Sequence, residues 1–239
     1  MITKTNLRVV PRPVKPLRSA DTGALDVPKL QRNTLNEEVY EQLKQALMAG
    51  QIAPGSSMTI RSLSASFGIS PMPVREALRH LVAEHVLELL PNRSVTLPVI
   101  TVSRFHEITR IRTSLEGLAA EEAAPKIDAG DIRRMAQINE KMESSDAMQR
   151  PDFLAANREF HFLLYQTSGM PTLVKIIESL WLQIGPLLTL LRGEYKPGIQ
   201  RHHRILLEAL RKRDALKARE AVENDIKDAA KIIALSLNE

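Results

Sequence analysis

From Thr101 to Glu239 the sequence holds no strand-like run. Apolar residues recur there every three to four positions, the spacing that gathers them on one side of a helix. That spacing predicts helices over 103–124, 129–145, 151–168, 171–192, 198–212 and 214–237. The breaks fall at Pro125, Ser144-Ser145, Gly169, Gly193 and an Arg213-Asp214 turn, residue types that end helices. Pro186, inside the fourth stretch, predicts a kink. Connections this short force neighbouring helices to run antiparallel, which leaves an antiparallel bundle of six helices for residues 101–239.

Residues 34–100 read differently. Thr34 followed by Glu37 has the form of a capping box, opening an apolar stripe at Leu35, Val39, Leu43 and Leu47. Gly50 ends that helix and Pro54-Gly55 turns the chain. A second helix is predicted from Ile60 to Phe67, closing at Gly68. Ser70 is placed to cap a third, with Pro71 and Pro73 in its first turn, where a missing N–H costs least. Val74, Ala77, Leu78 and Leu81 form its apolar face. Two strand-like runs follow, Val86–Leu90 and Val95–Val99, joined by Pro91-Asn92-Arg93-Ser94. Three helices and a hairpin wing make a winged helix-turn-helix, so the expected fold class is mostly α: this motif joined to the six-helix bundle. In such a motif the third helix enters the major groove. Arg75 and Arg79 lie on it, and an arginine fork matches the paired acceptors of guanine, which makes Arg75 a candidate base reader. Winged helices also serve protein–protein contacts, and in that case these arginines are solvated surface residues.

Charge is concentrated at the start. Lys and Arg number 33 against 28 Asp and Glu, a net charge of +5. Residues 1–33 carry seven basic side chains against Asp21 and Asp26, which accounts for the whole excess. A Pro-rich basic segment of this kind reads as an arm without a core of its own: either a solubilising tail or a source of salt-sensitive phosphate contacts. Cysteine is absent, which excludes disulfides and thiolate metal sites and suits a reducing compartment. No secretory-signal core is present, and the longest apolar run, Leu180–Leu191, is broken by Gln183, Gly185 and Pro186. A membrane-crossing helix needs about 18–20 residues, so a cytoplasmic chain without a membrane partner is expected.

Polar residues at facing positions of a bundle can build a metal site. Asn157 and His161 are four apart and share one helix face. His203 and Asp225 each lie eleven residues from Asp214, so an antiparallel hairpin turning there sets them at one height. Four oxygen and nitrogen donors from three helices then converge on one borderline or hard cation. The alternative is that these are ordinary surface or hydrogen-bonded side chains; His202 and His203 are adjacent, so only one faces inward.

The stretch Gly50-Gln51-Ile52-Ala53-Pro54-Gly55, with Leu63-Ser64, Phe67-Gly68-Ile69-Ser70 and Pro73-Val74-Arg75-Glu76-Ala77-Leu78, closely resembles the N-terminal domain of GntR-superfamily transcription regulators. The resemblance spans 35–99. It implies that Arg61 and Arg75 contact operator DNA, that Ser70 and Met72 begin the recognition helix at phosphate or base, and that Arg93 and Ser94 form a wing tip in the minor groove. Two positions depart from the pattern: Ser94 replaces a usual glycine, and Pro71 a frequent arginine. The helical part resembles the FCD ligand-binding domain of the FadR-like branch, through Ile111-Arg112-Thr113-Ser114-Leu115-Glu116, Phe160-His161, Ser168-Gly169 and the run from His203 through Leu210 to Asp214. Six helices are closer to its VanR-type subgroup. Many FCD domains hold a divalent metal through one Asp and three His; the matching positions here are Asn157, His161, His203 and Asp225. Asn157 replaces the acid and Asp225 the last histidine, an exchange that favours Mn²⁺ over Zn²⁺ while leaving Zn²⁺ and Ni²⁺ open. Arg112 matches the arginine that meets an effector carboxylate, though an ion pair with Glu116 four residues on is the simpler role. His106 and Trp181 are further pocket candidates without a specific placement.

The expected organisation is therefore a basic arm at 1–33, a DNA-binding winged helix at 34–100 and an effector-binding domain at 101–239. The expected function is a homodimeric repressor that binds a pseudo-palindromic double-stranded operator and answers to a small organic acid. A metal-dependent hydrolase with a nucleic-acid tether competes with it, but no general base stands beside the ligands, since Glu159 points to another helix face. A metal-free interaction module is the third possibility.

Overall fold

The recognition segment folds around two tight punctuation marks. A computed structural model describes residues 33–92, 94–143, 152–193 and 201–237. The basic arm, Arg93 and the Ser144-Ser145 break lie outside these. Helix α1 (Asn33–Met48) buries Val39, Leu43 and Leu47, while Leu35, at its open end, is 41% exposed. α1 begins at Asn33, and the side chain of Thr34 lies outside the described ones. A reciprocal capping box opens α2 (Ile60–Phe67): Ser62 N donates to Thr59 Oγ1 at 3.0 Å, and Thr59 N donates to Ser62 Oγ at 3.3 Å. Gly68 closes α2 in the left-handed region (φ 66°), a conformation glycine adopts without penalty. Helix α3 (Pro71–Ala83) follows, with Val74, Ala77, Leu78 and Leu81 all buried. Ser70 occupies its N-cap position but makes no side-chain capping bond.

The wing is a three-stranded antiparallel sheet in the order β1-β3-β2, from Ser57–Met58, Val95–Thr96 and Glu88–Leu89. Ser57 pairs with Thr96 and Met58 with Val95; across the hairpin Glu88 pairs with Thr96 and Leu89 with Val95. The strands are shorter than the apolar runs, whose outer residues Val86, Leu87 and Leu97 are buried in the core. β1 is a strand that periodicity could not reveal, being two residues long.

Six α-helices and one 3₁₀ helix follow among the described residues: α4 (Val102–Ala123), α5 (Ala129–Met142), α6 (Phe153–Thr167), α7 (Pro171–Ile184), the 3₁₀ helix Gly185–Gly193, α8 (Arg201–Arg211) and α9 (Ala215–Leu237). Caps set several starts: Thr101 Oγ1 accepts from Arg104 N, Asp128 Oδ1 from Asp131 N and Asp214 Oδ1 from Lys217 N. α4 packs along α9, α8 along α9 and α5 on α6, which brings α4, α6, α8 and α9 around a common interior. Pro186 changes the winding rather than kinking a continuous helix. It lacks the N–H that an α-turn would use, and the chain tightens into the 3₁₀ helix from Gly185. Across that junction, Pro171–Leu191 is long and apolar enough by composition to cross a membrane, which the interrupted run Leu180–Leu191 does not suggest. Half of its apolar window is buried, and Leu173, Ile177, Trp181 and Ile184 face the protein core.

Residues 33–239 form one unit, and α1 is gripped by α7 and the 3₁₀ helix. Lys44, buried on α1, donates to Glu178 on α7 at 2.8 Å. A Cβ at Gly185 would stand 3.1 Å from the Met48 Cα, so the two backbones touch there. Gly50 (φ 67°) leaves no room for a side chain against the Thr189 methyl.

Candidate DNA-facing helix and candidate metal centre

On α3 the residues opposite the buried face are Met72, Arg75 and Arg79, spaced three and four apart. Met72 is 59% exposed. Arg75 and Arg61, the latter in the first turn of α2, are exposed and have no ion-pair partner among the described residues. Arg79 reaches Glu76 at 3.1 Å, a solvent-screened contact that DNA phosphate or a base would readily replace. The Ser70 hydroxyl, spared capping duty, is exposed beside the start of α3. Ser94 differs from its expected role. It is 2% exposed, its amide and hydroxyl both donate to Asn92 Oδ1 (3.0 and 2.6 Å), and it accepts from Ser57 Oγ at 3.0 Å. This serine pins the wing turn from inside and does not present its hydroxyl outward. Arg93 lies outside the described residues.

The four residues singled out by helix spacing all line one cavity of about 70 Å³ between α6, α7, α8 and α9, and Arg112 of α4 lines it with them. His161, His203 and Asp225 each offer a ligand atom within 4.8 Å of the others. Asp225 Oδ2 lies 3.4 Å from His161 Nε2, and Oδ1 lies 3.6 Å from His203 Nε2.

The surrounding hydrogen bonds decide which imidazole nitrogens carry hydrogen. Tyr165 donates its hydroxyl hydrogen to Glu116 Oε2 at 2.7 Å, so its oxygen can only accept from His161 Nδ1, 3.3 Å away. Asn139 turns its amide nitrogen to Glu143 (2.7 Å) and its oxygen to His203 Nδ1 (3.0 Å), so that nitrogen is the donor too. With both Nδ1 positions as donors, each ring turns its Nε2 toward the Asp225 carboxylate, where that nitrogen holds either a proton or a metal ion. Burial lowers the pKa of His161, against the opposing pull of Asp225, and so favours its neutral form. Burial alone would raise the Asp225 carboxyl, but His203 and His161, bonded to it through their Nε2 hydrogens, hold it well below the usual carboxylate range. A divalent ion can take the place of those hydrogens and meet two nitrogens and a carboxylate oxygen at once. Imidazoles that donate their second nitrogen to a fixed acceptor are the usual environment of metal-binding histidines. Asn157, one turn before His161, lines the same cavity and has no hydrogen-bond partner among the described residues. The donor set thus fits a divalent ion.

Of the two roles considered for Arg112, the ion pair with Glu116 is formed. Its Nε donates to Glu116 Oε1 at 2.6 Å and its Nη2 to Oε2 at 3.3 Å, with both side chains buried. Its guanidinium also stacks over Trp181, 4.8 Å from the ring centroid, in the cavity wall. Sequence spacing missed Tyr165 and Asn139, and saw Glu116 only as the ion-pair partner of Arg112. Tyr165 was findable as the next turn after Asn157 and His161 on α6; Asn139, on α5, carried no local signal. His106 is exposed on α4 and is not part of the cavity wall. Glu159 is exposed and paired with Arg134 at 2.6 Å, away from the ligands.

Residues 35–97 match the bacterial regulatory proteins of the gntR family, and residues 107–228 match the FCD domain. The HTH-type transcriptional regulator McbR of Escherichia coli K12 is 32% identical over 193 residues, covering 78% of this chain and 86% of that protein. The HTH-type transcriptional repressor RspR of the same organism is 23% identical over 202 residues, covering 83% and 89%. Among solved structures, E. coli McbR/YncC superposes with a TM-score of 0.78 at 29% identity, covering 85% of this chain and 99% of that one. A structural-genomics GntR structure from Rhodococcus sp. RHA1 shares the fold, with a TM-score of 0.70 at 17% identity over 84% and 98% of the two chains. These relatives are named as transcriptional regulators, not enzymes, which sets the hydrolase aside. With a winged helix-turn-helix at one end and a buried His/Asp cavity in the helical bundle at the other, the chain belongs to the GntR family of bacterial transcriptional regulators, of the kind that carries an FCD domain.

Proposed function

We propose that this regulator is a homodimeric repressor whose hold on a pseudo-palindromic operator is set by a small carboxylate, bound between a divalent ion and Arg112. His161, His203 and Asp225, with Asn157 as a fourth donor, would hold the ion; two oxygen donors favour Mn²⁺, with Ni²⁺ and Zn²⁺ as alternatives. When bound, the ion supplies a Lewis-acidic positive charge to an anion's oxygen. Arg112, whose Nε and Nη2 are held by Glu116, would add its remaining Nη1 donor.

The observation that carries this is the convergence of His161, His203 and Asp225, their ligand atoms within 4.8 Å of one another, in the same cavity as a buried arginine. Charge supports it. Arg112 pairs with Glu116, and Asp228, also in the wall, pairs with Arg201 and Lys231; with the two histidines bound to the ion as neutral ligands, Asp225 and a divalent ion leave one positive charge, which a monocarboxylate neutralises. A volume of about 70 Å³ limits the occupant to a small acid. Arg61, Ser70, Met72, Arg75 and Arg79 would face the operator, with Arg93 at the wing and the basic residues of 1–33 adding phosphate contacts. A carboxylate with unequal affinity for two dimer geometries would shift the distance between the two recognition helices. Acting on chromosomal DNA, the protein works in the cytoplasm.

Elemental analysis of protein purified without chelator tests the metal directly. About one divalent ion per chain is expected, lost in His203→Ala. A chain that takes up neither Mn²⁺, Ni²⁺ nor Zn²⁺ would contradict the assignment.

A further inference from the structure

Trp181 is the only tryptophan of the chain, and it lies on α7 in the wall of the cavity. It is 2% exposed, and its Nε1 is buried with no hydrogen-bond acceptor among the described residues. Buried indole N–H groups normally have a partner, and leaving one without costs the desolvation of a polar group. The ring has little freedom to seek an acceptor elsewhere. Arg112 stacks over it at 4.8 Å, Phe162 packs against it edge-on with centroids 5.4 Å apart, and the His161 ring lies 5.7 Å away. The indole that carries this orphan donor thus lies beside a candidate metal ligand and the arginine expected to meet an anion.

We propose that Trp181 is a third anion-binding group, its indole N–H donating to an oxygen of the carboxylate held by the ion and Arg112. This inference rests on the carboxylate-and-metal reading above and adds a residue to it. It also gives the site an outlet. Glu178, three residues before Trp181 on α7, is bonded to Lys44 of α1, and Gly185, four residues after it, touches the Met48 backbone. A carboxylate drawing Trp181 toward itself pulls on the helix that grips the DNA-binding domain. Trp181 is then both a binding group and the point where occupancy reaches α1.

The test uses full-length, zinc-loaded protein and sodium acetate as the probe. Zinc is diamagnetic, so the single indole N–H gives one resolvable resonance in a ¹H–¹⁵N spectrum of ¹⁵N-labelled wild type. Acetate is expected to move it downfield at the same concentrations at which calorimetry records binding. Trp181→Phe keeps an aromatic face for Arg112 and removes the N–H donor together with part of the indole. It should leave zinc affinity within about twofold, while acetate binds roughly tenfold to a hundredfold more weakly, the range for losing a hydrogen bond to a charged group. An unmoved indole resonance in acetate-saturated wild type, or a Trp181→Phe protein that binds acetate as wild type does, would overturn the role of Trp181 alone. Zinc-loaded wild type that takes up neither acetate nor lactate would instead overturn the carboxylate reading itself.

Discussion

At the residue scale, Arg75 and Ser94 show how one helix-turn-helix divides its labour. Arg75 is exposed, without an ion-pair partner among the described residues, and lies on the face of α3 opposite the core. Ser94 is turned inward on Asn92 and Ser57. Arg75→Ala should therefore weaken binding to a site selected from random duplexes by about 1–3 kcal/mol while leaving thermal unfolding unchanged. Unchanged affinity in a gel-shift titration would remove Arg75 from base reading. The same logic separates His161 and His203 from an ordinary buried histidine. Each has its Nδ1 committed, to Tyr165 and Asn139, so each is left with only Nε2 for Asp225. Spacing along the sequence identifies His161, His203 and Asp225 because a helix repeats every three to four residues and a hairpin mirrors positions about its turn. It cannot identify Asn139, whose approach to His203 depends on how α5 packs against α8.

At the element scale, glycines at the junction of α1 with α7 and the 3₁₀ helix set how closely the two halves approach. Gly50 combines a left-handed backbone with contact against Thr189. Gly50→Ala should destabilise the fold by about 1–2 kcal/mol for the backbone conformation and about 1–3 kcal/mol for the overlap. Adding Thr189→Ala should recover only the second part, as denaturant unfolding of the single and double variants would show. Full recovery would mean that the backbone at residue 50 carries no strain. Helix limits here were largely legible: α2 falls at Ile60–Phe67 as its flanking Thr and Gly imply, and α4 begins one residue before the predicted 103. Elements defined by pairing rather than local chemistry were not. β1 exists only because Ser57 and Met58 lie beside Thr96 and Val95. The 3₁₀ helix was masked by an apolar periodicity that continues across Pro186.

At the scale of the whole molecule, the His/Asp cavity is joined through one continuous segment to α1, which packs on α3. α7 and the 3₁₀ helix wall the cavity with Trp181, Leu188 and Leu191, and the same segment holds α1 through Glu178, Gly185 and Thr189. A ligand can shift the DNA-binding state only by as much as its affinity differs between the two arrangements of this segment. The cavity's charge makes that ligand conditional, because the ion outweighs the Asp225 carboxylate beside it. The most direct measurement is calorimetric titration of sodium acetate into protein loaded with zinc and into the same protein stripped by chelator. Binding to the loaded protein, with none to the stripped protein or to His203→Ala, is the predicted result. Equal acetate affinity with and without the ion would contradict the claim that metal and carboxylate share one site.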